Sequence, residues 1–267
     1  MVAADLHVHT TNSDGTLSLS AVLAAARSAD LAAVAVTDHD RLHPGLEAPV
    51  AARDGLTVVH GIELRVDAGD QRLDLLGYGA RQTDALTAEL DRVQADRVER
   101  GRAIVERVED RLGVDLGVTV EPGFGRPDVA RAVAGHPDTD YDVQGVFDDL
   151  IGDGGPCFVP RAVPEFEDGR ALLAEACDLV GLAHPLRYED PAAALERTAK
   201  LDAVELHYPY AGDPDLTPVR RAAERHDLLV TGGSDAHDDG LGRVGLDGAE
   251  WSRVRDRLSP AVPDSPG

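Results

Sequence analysis

The sequence predicts an α/β fold: strands and helices alternate around a parallel sheet, in numbers sufficient to close a barrel, with a helical insertion near the middle. Three observations carry this reading. Short apolar runs alternate with helical stretches at both ends of the chain. A motif rich in histidine and carboxylate closes or follows most of those runs, the position that catalytic residues take in α/β barrels. Between the two halves, residues 84–156 read as one long charged helical stretch followed by shorter helices.

Taken in order, residues 2–8 form the first strand, and because side chains alternate faces along a strand, His7 and His9 point the same way with Asp5 beside them. The turn 11–15 carries Asp14, after which Ser18 or Ser20 caps an Ala-rich helix over 19–28. An apolar run at 31–36 ends on Thr37-Asp38-His39-Asp40. A helix is expected at 45–53 and a strand at 56–59, leading into Gly61-Ile62-Glu63. The strand 73–78 holds Asp74 inside an otherwise apolar run.

From 84 to 112 the residues Leu86, Leu90, Val93, Val98, Ile104, Val105, Val108 and Leu112 give a helical stripe. Helices near 127–134 and 142–151 complete an insertion, expected to cap the strand ends. The alternation then resumes with strand 157–159, helix 165–177, strand 179–183 leading to His184, a helix after Pro191, strand 203–206, helix 214–226 and strand 228–232. That last strand leads into Gly233-Ser234-Asp235-Ala236-His237, and a final helix lies near 250–258. The domains expected are therefore a barrel from 1–83 and 157–258, an insertion at 84–156, and a Pro-rich disordered tail at 259–267.

The chain has 267 residues and 43% hydrophobic content, enough to bury a core unaided. Acidic residues outnumber basic ones 49 to 26 for a formal charge of -23, and Lys200 is the only lysine. Charge of that size is tolerated where salt screens it, within about 3 Å at 1 M, so the balance predicts a protein adapted to a salty cytoplasm. An acidic surface excludes a broad phosphate-binding face for duplex DNA, but not a small anionic substrate held by metal ions. Cys157 and Cys177 fit no disulfide framework and no Cys-x-x-Cys metal spacing, and read as small core residues. The sequence has no secretory signal pattern and no apolar stretch of roughly twenty residues. The protein is expected in the cytoplasm, without a membrane partner. Its oligomeric state is not legible.

The candidate metal ligands are His7, His9, Asp14, His39, Glu63, Asp74, His184, Asp235 and His237. One ion does not need so many imidazoles and carboxylates, so two or three ions sharing a bridging carboxylate, for which Glu63 is suited, is the natural arrangement. Such ions bind phosphate, generate hydroxide near neutral pH and stabilise charge on a leaving oxygen, which are the needs of phosphate ester hydrolysis. Asp5, Asp38 and Asp40 are expected to orient metal-bound imidazoles. His207, at a strand end, is a candidate substrate contact, whereas His43, His60, His136 and His226 read as loop or helix-end residues.

The motifs Asp5-Leu6-His7-Val8-His9-Thr10, Thr37-Asp38-His39-Asp40, Gly61-Ile62-Glu63 and Gly233-Ser234-Asp235-Ala236-His237 resemble, in order and spacing, those of the PHP (polymerase and histidinol phosphatase) superfamily. Residues 125–131 and 158–160 resemble the branch containing nucleotide phosphatases and small 5′-to-3′ exoribonucleases. The resemblance implies a distorted seven-stranded β/α barrel with three divalent ions, of manganese, iron or zinc. It groups His7, His9, Glu63 and Asp235 on one ion, Glu63, position 74 and His184 on the second, and Asp14, His39 and His237 on the third. It implies Arg126, Asp235 and His237 as the residues acting on the reacting phosphate, with Asp128 and Arg161 beside the substrate. Positions 74 and 128, usually histidine in that branch, are both Asp here. The activity implied is hydrolysis of nucleotide phosphomonoesters or of short RNA from its 5′ end. The alternatives are a metal amidohydrolase and a non-catalytic nucleotide sensor or polymerase-associated module.

Overall fold

The computed structural model describes residues 1–121 and 123–263. Its strands are β1 (Ala4–Val8), β2 (Ala33–Val36), β3 (Val50–Arg53), β4 (Leu56–Asp67), β5 (Arg72–Tyr78), β6 (Leu179–Leu182), β7 (Ala203–His207), β8 (Leu229–Gly232) and β9 (Val262–Pro263). Seven of them follow one path, β1-β2-β4-β5-β6-β7-β8, and form a nearly closed barrel-shaped sheet. The two ends of the path approach through the segment after β8. There Val8 bridges Ala236, and His9 donates its backbone N–H to the Ala236 carbonyl at 2.9 Å.

The sheet is mixed rather than parallel as the alternation suggested. β1, β2 and β4 are parallel, as are β6, β7 and β8, but β5 runs antiparallel to both β4 and β6. The helix expected at 45–53 is instead a turn followed by β3, antiparallel to β4. Asp54 and Gly55 join the two with φ of 50° and 81°, the positive dihedrals of a tight hairpin turn. Residues 157–159, expected as a strand, form none, and Cys157 is instead buried among helices. Within the expected tail, β9 pairs with β3 and Ser259 donates to Asp178, so the described part lies on the sheet; residues 264–267 are outside the described residues.

The helices are α1 (Leu19–Ser28), α2 (Asp84–Leu112), α3 (Arg126–Ala134), α4 (Val143–Val146), α5 (Phe166–Ala176), α6 (Pro191–Arg197), α7 (Thr217–His226) and α8 (Gly248–Arg255). Ser18 caps α1 by accepting from the Ala21 N–H, as its sequence predicts. The chain divides into two compact units, Met1–Thr87 with Pro164 onward, and Ala88–Val163. In the first, one apolar cluster packs Leu6, Ala35, Val59, Leu76 and Tyr78 with Trp251, and a second packs Val8, Val22, Val34 and Val58. The second unit has its own core of Ile104, Val108, Val129, Val133, Leu150 and Ile151. Among the described residues no helix is long and apolar enough to cross a membrane.

Candidate metal centre

Strand alternation and the loops that follow the strands together deliver the ligand-type side chains. β1 aims His7 and His9 to one side, fully shielded, and β4 contributes Glu63, 1% exposed. The loops after β1, β2, β6 and β8 bring Asp14, His39, His184, Asp235 and His237, and β5 brings Asp74. Three of these positions lie on or beside strained backbone: Asp40, His184 and Asp235 have φ of 50°, 26° and 48°. Strain of that kind, about 1–3 kcal/mol each, persists only where surrounding contacts over-determine it. Gly233 shows how tight the closing loop is, since a Cβ there would stand 2.3 Å from His7 N and 2.4 Å from His7 Cβ.

All nine expected ligands are brought into one cluster. His7 Nε2 lies 3.4 Å from both Glu63 Oε2 and Asp235 Oδ1, while His9 Nε2 lies 3.4 Å and 3.1 Å from the same two atoms. His39 stands between Asp14 (3.6 Å) and Glu63 (2.8 Å), and His237 Nε2 is 3.4 Å from Asp14. His184 Nε2 contacts Glu63 Oε1 at 3.0 Å and lies 3.7 Å from Asp74. Three overlapping sets offer ligand atoms within 4.8 Å of one another: His9 with Asp14, His39 and His237; His7 with His9 and Glu63; Glu63 with Asp74 and His184.

These residues fit divalent ions. His7 Nε2, both ring nitrogens of His9 and Glu63 Oε2 are buried without a hydrogen bond of proper alignment. Buried polar atoms of that kind cost about 1–3 kcal/mol each when they have no partner. Ligand-type atoms of this kind, gathered in groups within 4.8 Å of one another, suit a cation. Five imidazoles and four carboxylates form a donor set of the kind that can hold divalent metal ions. The protonation balance agrees. Burial would raise the Glu63 carboxyl, but the His39 and His7 imidazoles beside it hold it well below the usual carboxylate range. Burial likewise opposes the charged form of His7, yet Glu205 and Glu63 raise it well above its ordinary value, and Glu63 pushes His39 up to about 9.

The carboxylate that orients the His7 imidazole was not among the expected ones. Glu205, fully buried on β7, accepts from His7 Nδ1 at 3.0 Å and from the His184 backbone N–H at 2.7 Å, leaving His7 Nε2 to face the cluster. A lone charge inside the apolar run Ala203-Val204-Glu205-Leu206 was its signal, the same one that singled out Asp74. Asp5 and Asp38 hold loops instead. Asp5 accepts from Ser234 N (2.9 Å), Gly242 N (2.8 Å) and more distantly His7 N, and Asp38 accepts from Thr10, Asn12 and Ser13. Asp40 accepts from the Arg65 backbone N–H at 3.1 Å.

Sequence reasoning also missed Arg65, Arg187 and Tyr208. Tyr208 donates to Asp235 Oδ2 at 2.8 Å, and Arg187 reaches the Tyr208 hydroxyl at 2.7 Å and the same carboxylate oxygen at 3.3 Å. His207 is otherwise engaged, its Nε2 lying 2.8 Å from Glu250 of α8. The remaining expected residues belong to the second unit. Arg126 pairs with Asp153 at 2.8 Å and stacks near Phe147 and Phe158. Asp128 closes the first turn of α3 by accepting the Gly125 N–H at 2.8 Å and pairs with Arg131, favourable uses of a carboxylate at a helix N-terminus. Arg161 lies near the end of that unit.

Comparison with known proteins agrees with this geometry. Residues 5–119 match the PHP domain family. The chain is 27% identical to a 3′,5′-nucleoside bisphosphate phosphatase of Chromobacterium violaceum, over 91% of this chain and 90% of the relative. It is 26% identical to the 5′-3′ exoribonuclease Rnm of Escherichia coli, over 87% and 84% of the two chains. A solved structure from Bifidobacterium adolescentis, assigned as a metal-dependent phosphoesterase, superposes with a TM-score of 0.75 at 25% identity and 96% coverage of both chains.

Proposed function

We propose that this chain is a metal-dependent phosphoesterase of the PHP type that hydrolyses phosphate esters of nucleotides. The substrates are a nucleoside monophosphate or bisphosphate, or the 5′ end of short RNA. The observation that carries the reading is the gathering of buried ligand-type atoms from His7, His9 and Glu63 within 4.8 Å of one another. Divalent ions such as manganese, iron or zinc, held by these residues, would supply polarisation of phosphoryl oxygens and a lowered pKa for a water.

The protein's own groups do the rest. Glu205 keeps the His7 proton on Nδ1, and the Asp235 carbonyl, 2.9 Å from His237 Nδ1, does the same for that ring. Both rings then turn an unprotonated Nε2 inward. Tyr208 and Arg187 fix Asp235 from its outer oxygen. The Arg187 side chain, 53% exposed, keeps donors for a phosphoryl oxygen. Arg126 is a further phosphate contact on the strength of the sequence resemblance, and Arg126→Ala should raise KM more than it lowers kcat.

The test is phosphate release by manganese-loaded protein in molar KCl. The panel comprises nucleoside mono- and bisphosphates and short 5′-phosphorylated RNA, with Asp235→Asn as the folded, inactive control. Silence across that panel with metal bound would overturn the proposal.

A further inference from the structure

The three sets of ligand-type residues are not equivalent, and the difference lies in Arg65. Arg65 and Asp74 stand directly opposite each other in the antiparallel β4–β5 ladder. Arg65 Nε donates to Asp74 Oδ1 and the adjacent terminal nitrogen donates to Oδ2, both at 2.7 Å. This is the parallel two-pronged pairing in which a guanidinium takes the inner lone pairs of both carboxylate oxygens. The Asp74 side chain is 3% exposed, so the pair is shielded on the carboxylate side. Glu63 Oε1, the other carboxylate atom of this corner, is engaged by His184 Nε2 at 3.0 Å. Both Asp74 oxygens and Glu63 Oε1 are thus satisfied and only His184 Nδ1 of this corner lacks a partner, whereas in the neighbouring corners His7 Nε2 and both nitrogens of His9 have no hydrogen bond and Glu63 Oε2 has only its 2.8 Å contact with His39 Nδ1.

We propose that at the Glu63, Asp74 and His184 corner the Arg65 guanidinium takes the place of a metal ion, so that this chain holds two divalent ions instead of three. The inference rests on the metal-dependent reading above. The corner is built for a cation in both cases: two buried carboxylates face one another there, and something positive must lie beside them. Arg65 supplies that charge from within the chain. Its fork uses two of five N–H donors, and the side chain is 38% exposed, so three donors remain for an anion entering the strand ends. The corner changes from a Lewis acid into a fixed hydrogen-bonding clamp for a phosphoryl group. A fixed clamp also needs no metal to be in place before substrate binds.

Metal content tests this without reference to activity. The metal-free protein is saturated with manganese, desalted and measured by mass spectrometry, and a crystal of the same preparation is searched for anomalous scattering at the manganese edge. Two ions per chain are expected for the wild type, with no anomalous peak between Glu63, Asp74 and His184. Arg65→Ser frees the Asp74 carboxylate and should raise the content to three. Arg65→Ser combined with Asp74→His, which also removes the uncompensated charge, should do the same if the single variant does not fold. Three ions in the wild type, or two in a folded Arg65 variant, would overturn the assignment of Arg65. No bound manganese in any of the proteins would overturn the metal-dependent reading itself, and this inference with it.

Discussion

Replacing Glu205 by Gln changes one atom in the support of the centre, and its consequence can be followed bond by bond. Glu205 accepts from His7 Nδ1 at 3.0 Å and from the His184 N–H at 2.7 Å, in a place fully closed to water. Glutamine has the same volume and keeps an oxygen for the His184 amide, but it turns an NH2 group toward His7. His7 must then offer a lone pair at Nδ1, which moves its proton to Nε2, the atom 3.4 Å from both Glu63 and Asp235. A ligand atom is lost while no cavity opens. Loss of such an orienting partner lowers metal affinity about 10- to 100-fold, or about 1.4–2.7 kcal/mol. Calorimetric titration of the metal-free protein with manganese measures this directly. Glu205→Ala should lose the same affinity and in addition destabilise the fold by roughly 2–4 kcal/mol, because it strands a buried N–H and opens a cavity. A Gln variant that melts normally and binds manganese within twofold of the wild type would refute the assignment of Glu205 as the group that sets the His7 proton.

The other predictions concern the fold around the site. Burial, followed by the nearby His43 charge, pushes the His60 imidazole down to about 4, and its Nε2 accepts the His43 backbone N–H at 3.1 Å. A folded value below the unfolded one means that the unfolded chain binds protons more readily. The His60 contribution, roughly 3 kcal/mol, is therefore fully present above about pH 6.5 and is lost as pH falls toward 4. His60→Gln should flatten that part of the stability curve in denaturant titrations, and an unchanged slope would count against it. Gly233→Ala forces a Cβ to within 2.3 Å of His7 N, where only backbone can yield. It should cost at least about 2 kcal/mol and weaken manganese binding together, with wild-type urea melts disproving the close approach. Finally, a formal charge of -23 should make folding depend on screening by salt. A thermal melt at about 0.05 M KCl as high and as cooperative as one at 2 M would show that it does not.

Much of the site was legible because its signals are local. His7-x-His9 on one strand face, Glu63 after an apolar run, and Asp235-Ala236-His237 after another declare their chemistry through residue type and strand position, whatever lies across the sheet. The long helix α2 was legible for the same reason, its apolar stripe recurring with helical period. Asp54-Gly55 also carried a local hairpin signal, which the expectation of a helix at 45–53 overrode.

Strand direction was not legible. The apolar runs of β4, β5 and β6 read alike for parallel and antiparallel neighbours, and only the pairing in space decides between them. That decision has chemical consequences, because it sets Arg65 opposite Asp74 and gives the carboxylate a partner that residue type alone could not assign. Asp128 is a similar case, since the Gly125 N–H it accepts becomes available only once α3 begins there. The sequence by itself determined which residue types gather at the strand ends and the chemistry they can perform. The tertiary structure decided which charge meets which, since a hydrogen bond between distant segments depends on register and approach, quantities that no single segment contains.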